Sequence, residues 1–324
     1  MNILDPTYIR DNCDFSFGDQ SGMGILGGYM KPANIKNEEF IKKYNELRGI
    51  KKYMTLFIDN IRLYYRDNIK NTATENNNQR AFDFKVFRLK ELWANNDLLK
   101  LCSQLPDMNF VIFTGFEDNC IDDQIFDKIP PNVLAIYASN AISFGGKVHP
   151  IPYGVQRKLY IDDYRHEVIK SLLDYEVQPK SLLYINHNTG NNIRRVGINQ
   201  YFEQFEWATI EAPISISSEV YKRYLLNIKN HKFMICPDGN AIGCECSRDW
   251  EVLYMRRVPI VKRSDYLEYM FKDFPVLFVD NFTDVTQELL KSNEYLFQEA
   301  LAIDINKLDI KFIYDKIINE LEKF

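Results

Sequence analysis

The chain has 324 residues, 46% hydrophobic and 26% charged, with a formal net charge of -5. This length suggests two domains, and the composition excludes a globally disordered chain and supports a sizeable core. The acidic balance excludes broad, non-specific nucleic-acid binding.

Met1-Asn-Ile-Leu-Asp5 carries no secretory signal, and no run in the sequence is long and apolar enough to span a bilayer. The expectation is a cytoplasmic protein whose six cysteines stay free. Glycines then cluster, and Gly22-Met-Gly24-Ile-Leu-Gly27 formally fits Gly-x-Gly-x-x-Gly. The residues before it, Asp11 to Gly18, do not read as a strand, so this segment reads as a loop. A dehydrogenase reading would rest on those glycines alone.

Apolar spacing predicts helices over 38–49 and 88–103. Tyr53 to Asp59, Phe110 to Gly115 and Val133 to Ala138 read as strands, the last two as buried parallel ones. Asn71 to Gln79 is a polar loop. Pro150-Ile-Pro-Tyr-Gly154 punctuates the chain, and a charged helical stretch follows near 160–175.

After Pro179 the order becomes regular. Strands are predicted at Leu182–Asn186, Trp207–Ile210, Phe233–Cys236, Val258–Lys262 and Val276–Val279. Helices are predicted at 192–204, 217–229, 246–256 and near 284–299. Alternation with short links implies a parallel sheet covered on both faces. A last amphipathic helix, about 307–323, needs a surface to pack on, and the first unit is the candidate.

The expected class is therefore α/β, with two facing Rossmann-like units. Residues 1–158 form the first unit and 159–178 a connecting segment. Residues 179–306 form a nucleotide-binding unit, and 307–324 the returning helix.

The 246–256 helix carries the chemistry. At 100° per residue Trp250, Leu253, Tyr254 and Arg257 share one face, while Arg248, Glu251 and Met255 share nearly the opposite one. The first face is expected on the sheet and the second toward the crevice beyond the strand ends. Arg248 would add its guanidinium to the helix dipole and hold a diphosphate. Glu251, one turn deeper, would accept both hydroxyls of a ribose. Gly239 and Gly243 would let the backbone approach the ligand. Taken alone, an Arg and a Glu three apart also suit an exposed helix, where the pair stabilises by a few tenths of a kcal/mol. The glycine-containing loop and the repeated strand–helix order favour the site.

Cys236, Cys244 and Cys246 suggest a metal cluster, but no second Cys-x-x-Cys or paired histidines complete it. They read better as small core thiols. The 20 Tyr and 22 Phe likewise read as core.

Residues 232–280 resemble the nucleotide-sugar-binding half of exostosin-like glycosyltransferases. The shared positions are Pro237, Gly239, Asn240, Arg248, Trp250, Glu251, Leu253, Tyr254, Pro259, Ile260, Val261, Pro275, Val276 and Leu277. The resemblance implies a two-domain, GT-B-type glycosyltransferase with Arg248 on the diphosphate and Glu251 on the ribose. It also implies an inverting transfer; the residues themselves do not distinguish inversion from retention. Three positions depart from the pattern: Asp238 stands where the family often has Arg, Ser247 where it has His, and Arg256 where it has Gly. Arg194 or Arg195, beyond the Asn186-His-Asn188-Thr-Gly190 loop, could supply the missing cation, or could be ordinary solvent-facing charges. Asn188, Asn240, Gly243 and Ser247 complete the candidate donor-binding set.

No Asp-x-Asp occurs in the sequence. Such a pair commonly holds the metal on a donor diphosphate, so no catalytic metal and no tightly bound cofactor are expected. The expected donor is a UDP-sugar, and the acceptor a glycan, lipid-linked sugar, protein or modified nucleic-acid base. The acceptor hydroxyl needs a general base. Asp19 in its glycine-rich loop is the first candidate, Asp14 the second and His149 the third. Both aspartates equally suit turn geometry. Two alternatives share the scaffold: a sugar-nucleotide epimerase, and a nucleotide- or glycan-binding protein without turnover.

Overall fold

The computed structural model describes residues 1–17, 37–59, 98–115, 123–155, 164–189, 195–211, 217–239 and 243–323. The glycine cluster at 22–28, the polar loop 71–79, residues 88–97, Asp19, Arg194 and Asn240 lie outside them.

The chain is an α/β protein built on two parallel five-stranded sheets. The first follows chain order: β1 (Phe15–Ser16), β2 (Tyr53–Asp59), β3 (Asn109–Gly115), β4 (Val133–Ala138) and β5 (Val148–Pro150). Helix α1 (Pro6–Asn12) precedes β1, α2 (Glu38–Leu47) links β1 to β2, and α3 (Leu98–Ser103) leads into β3. Strands that always step the same way, joined by right-handed crossovers, put every crossover on one face. The other face is left for something else to cover. It is covered by α1 and by the last helix, whose Tyr314 packs on Phe113 and, edge-on, on Tyr8. The returning helix thus sits where its apolar stripe required.

Strand β1 lies within the segment 11–18, which does not read as a strand from its residues. It is two residues long, pairing Phe15 with Leu56 and Ser16 with Phe57, and its ladder continues as Phe17 N–H donates to the Phe57 carbonyl at 2.8 Å. Its anchor is tertiary: Phe15 and Phe17 pack on Phe40 of α2.

Helix α4 (Arg165–Leu172) leads into the second unit. Its elements are β6 (Ser181–Ile185), α5 (Val196–Phe202), β7 (Ala208–Ile210), α6 (Ser218–Lys229), β8 (His231–Ile235), α7 (Ser247–Tyr254) and β9 (Val258–Lys262). They continue as α8 (Asp265–Met270), β10 (Leu277–Val279), α9 (Gln287–Ser292), α10 (Glu294–Leu301) and α11 (Ile310–Leu321). The sheet runs β7-β6-β8-β9-β10, so the order reverses between β6 and β8. Both faces are buried, as the continuous apolar runs require: Leu183, Ile185, Phe233 and Ile235 face one core, and Tyr184 and Met234 the other. The helix expected near 284–299 is broken at Asn293, which closes α9 and opens α10, its side-chain amide donating to the Leu289 carbonyl.

Helix α7 departs from its two-faced reading. Trp250, Val252, Leu253, Tyr254 and Met255 are all fully buried, and Asp249 and Glu251 nearly so. The core that includes this helix is continuous with the core of the first sheet. Tyr254 ties three segments together: its hydroxyl accepts the Leu4 N–H at 2.7 Å and donates to the Leu308 carbonyl at 2.6 Å. Gly154 is required beside Leu4, because its φ is 68° and a Cβ there would lie 2.2 Å from the Leu4 carbonyl oxygen.

Candidate anion site at the strand-order reversal

In an open parallel sheet, the two connections leaving neighbouring strands diverge to opposite faces where the order reverses, and a crevice opens beyond the strand ends. Here that point lies between β6 and β8. Asn186, His187 and Asn188 follow β6; Cys236, Pro237 and Asp238 follow β8. The N-terminus of α7 meets them.

Arg248, in the first turn of α7, donates from Nε to the Asn186 carbonyl at 3.0 Å and places Nη1 3.8 Å from the Cys246 sulfur. Arg195, just before α5, donates from Nε to the Asp238 carbonyl at 3.0 Å and from Nη1 to the Asn188 carbonyl at 3.2 Å. Among the described residues neither guanidinium has a carboxylate within ion-pair distance. Arg195 is 7% exposed, and burial followed by the charge of Arg248 lowers its pKa. His187 is buried, its Nδ1 has no partner among the described residues, and burial together with the charge of Arg248 lowers its pKa to about 4, so it is neutral. A buried cation, a half-buried one and a neutral imidazole at a helix N-terminus make a field that favours an anion.

The supporting loop is fixed by local rules. The Asp249 carboxylate accepts the Cys246 N–H at 2.7 Å and caps α7, while burial raises its pKa to about 7. Gly243 holds φ at 73°, donates to the Asp238 side chain at 3.0 Å and accepts from Ser264 Oγ at 2.8 Å. Gly239, Ser247 and Asn188 border the same crevice, Asn188 with its side chain exposed. The structure therefore brings Arg195, Arg248, Asn188, Gly239, Gly243 and Ser247 together. Arg195 reaches residue 238, where the sequence pattern expects a cation and this chain has Asp.

Glu251 is placed differently from the expectation of an open crevice face. It is 4% exposed, Oε1 accepts the Tyr221 hydroxyl at 2.8 Å and Oε2 the Tyr224 hydroxyl at 3.0 Å. Arg165 of α4 lies 3.8 Å from Oε1. A ribose hydroxyl would have to compete with these tyrosines, of which Tyr224 is the half-buried one.

Asp14 and His149 are not brought to the crevice. Asp14 sits at the opposite, N-terminal end of β1 and β2. Its Oδ2 accepts the Thr55 N–H and hydroxyl at 2.9 and 3.0 Å, and Oδ1 pairs with Lys51 at 2.6 Å. Those bonds order a strand end. His149 is within β5 and stacks on Tyr137 at 5.0 Å, on the face that α11 covers; burial lowers its pKa.

A residue that sequence reasoning missed is Glu245. It is 3% exposed, and its Oε1 accepts the Tyr153 N–H at 2.6 Å across the two units. Burial raises its pKa to about 7. Nothing in a Cys-Glu-Cys triplet signals this, because the Tyr153 N–H it accepts comes from the other unit. Among the described residues no group of three or more His, Cys, Asp or Glu is placed to hold a metal ion, and no helix is long and apolar enough to cross a membrane.

No family profile matches this chain, and no curated protein does either. Solved structures similar to it at low identity include the following two. An α1,3-fucosyltransferase is 10% identical over 75% of this chain and 84% of its own, with a TM-score of 0.39. A glycosyltransferase from Rickettsia africae ESF-5 is 12% identical over 83% of this chain and 90% of its own, with a TM-score of 0.41.

Proposed function

We propose that this chain is a glycosyltransferase of the two-unit, GT-B type, moving a sugar from a nucleotide-sugar donor, expected to be a UDP-sugar, to a hydroxyl acceptor. One observation carries the reading. Arg195, buried, and Arg248, half-buried, converge with the N-terminus of α7 at the strand-order reversal, neither with a carboxylate partner among the described residues. A leaving nucleoside diphosphate gains negative charge as the glycosidic bond breaks. Preorganised cations and a helix dipole stabilise that charge more in the transition state than in the bound donor. The site can neutralise a diphosphate with its own side chains, which is the basis for proposing metal-independent transfer. Glu251 stays the candidate for the ribose, at the cost of displacing the Tyr224 hydroxyl. Asp19 stays the candidate base by elimination, since Asp14 and His149 point elsewhere.

The test is calorimetric titration of the full chain with UDP, GDP, ADP, CMP and pyrophosphate, with and without Mn²⁺. Turnover of the matching nucleotide-sugar follows. Binding of one nucleoside diphosphate without metal, lost in Arg195→Ala and Arg248→Ala, supports the reading. A folded protein that binds neither nucleotide nor pyrophosphate overturns it. One specific observation favours a second reading, a binding protein without turnover: two of the three candidate bases lie away from the crevice. Tight nucleotide binding with no transfer and no epimerised donor would select it.

A further inference from the structure

We infer that Arg165, on the helix connecting the two units, is a positioning residue for the donor nucleoside, acting through Glu251. This inference rests on the proposed donor site and extends it to a part of the chain outside the nucleotide-binding sheet.

Three helices converge on one carboxylate. Glu251 belongs to α7, Tyr221 and Tyr224 to α6, and Arg165 to α4. The Arg165 side chain is 14% exposed and that of Glu251 6%. Nη1 of Arg165 stands 3.8 Å from Glu251 Oε1, and its guanidinium lies over the Tyr221 ring, 5.2 Å from the centroid. A carboxylate removed from water without a cation is strongly disfavoured in its ionised form. Two phenolic hydroxyls supply hydrogen bonds but no charge. Arg165 is the cation that pairs with Glu251 among the described residues. Burial opposes its own charge, but Glu251, Tyr221 and Tyr224 together hold its pKa above the ordinary value. Its Nε is buried with no acceptor among the described residues.

The consequence is a division of labour. Arg248 and Arg195 address the diphosphate, while Arg165 holds Glu251 in place for the nucleoside. When a ribose hydroxyl takes the Oε2 position from Tyr224, Tyr221 and Arg165 still hold Oε1. The connecting helix therefore belongs to the donor site, and it packs against α6, whose two tyrosines hold the same carboxylate.

The test uses the full chain and two probes: the nucleoside diphosphate that wild type binds best, and pyrophosphate. Arg165→Met is expected to weaken nucleoside diphosphate binding about ten-fold or more, one decade being roughly 1.4 kcal/mol, and to leave pyrophosphate affinity unchanged. Arg165→Lys should recover part of the loss. In a Glu251→Gln background the same Arg165→Met change should have little further effect, because its target is already uncharged. Equal losses in both backgrounds, or equal losses for both probes, would overturn the inference and mark Arg165 as merely structural. Melting temperatures of each variant separate misfolding from lost binding. Wild type that binds pyrophosphate and nucleotide while Arg165→Met changes neither sinks this inference and leaves the proposed function standing. Wild type that binds neither probe sinks both.

Discussion

The guanidinium of Arg195 closes on the backbone carbonyl of Asp238, with Nε at 3.0 Å. The two residues leave different strands, β6 and β8, and their bond spans the point where strand order reverses. A cation absent from the expected place in the sequence is delivered there by a neighbouring connection.

That bond gives the first prediction. Arg195→Ala leaves the Asp238 and Asn188 carbonyls without their donor, at a cost of about 1–3 kcal/mol. It should also lower nucleotide and pyrophosphate affinity in parallel. Thermal denaturation and calorimetry on one preparation check both. Loss of stability with full pyrophosphate affinity would remove Arg195 from the anion site.

Glu251→Ala should behave as a folding mutation as well as a binding one. It strands Arg165 and two tyrosine hydroxyls inside the protein, and removing one partner of a buried ion pair costs about 3–5 kcal/mol. Glu251→Gln keeps an acceptor for one hydroxyl and should fold better, which denaturant midpoints would show. If alanine is tolerated as well as glutamine, the carboxylate is not held as described.

Trp250 is fully buried against Phe271 and Phe274, at centroid distances of 4.9 and 5.7 Å. Trp250→Ala should cost about 3–5 kcal/mol as a core truncation. Its indole N–H has no partner among the described residues, so Trp250→Phe removes an unmet donor along with some volume and should cost clearly less. Comparable midpoints for the two variants would contradict this packing.

Arg256 occupies the left-handed region at φ 56°, and its Nη1 donates to the Leu301 and Ile303 carbonyls at 2.8 and 3.0 Å. Where the sequence pattern has Gly, this chain keeps the strained backbone and adds a bridge to the end of α10. Arg256→Ala should destabilise by about 1–2 kcal/mol, since the strain stays and the bonds go. Arg256→Gly relieves the strain and should fall within about 1 kcal/mol of wild type. Equilibrium unfolding in urea ranks the pair.

Glu245 and Asp249 both have folded pKa values raised to about 7 by burial, above the 4.5 and 3.8 of unfolded side chains. The native state therefore binds more protons than the unfolded state in that interval, and stability falls as pH rises from about 4 to 7. His187 acts in the opposite sense. Its folded pKa of about 4 lies below its unfolded 6.5, so its contribution is lost as pH falls through that window. Glu245→Gln should flatten part of the decline toward neutral pH and raise the melting temperature most above pH 7. An unchanged pH profile would show that Glu245 is not buried across the seam.

Much of the fold was legible because strands such as Phe110–Gly115 and Val258–Lys262 are short apolar runs between turn residues, and parallel strands buried on both faces are written that way. The positions of Arg248 and Gly243 were legible from strand–loop–helix order. The faces of α7 were not. Helical periodicity assumes one wet side, and this helix has a core on one side and tyrosines and Arg165 on the other. The positions of Asp14 and His149 were not legible for a related reason: which end and which face of a sheet a residue occupies depends on pairing partners distant in sequence.

The sequence by itself determined an α/β chain, the strand and helix order of the second unit, a returning amphipathic helix, and a helix N-terminus carrying an arginine. Those features are local, set by apolar periodicity, glycine and capping residues. Only the tertiary structure decided that the strand order reverses between β6 and β8, that Arg195 reaches residue 238, and that Arg165 meets Glu251. These are contacts between segments far apart in the chain, and no local propensity encodes which distant partner a buried polar group will find.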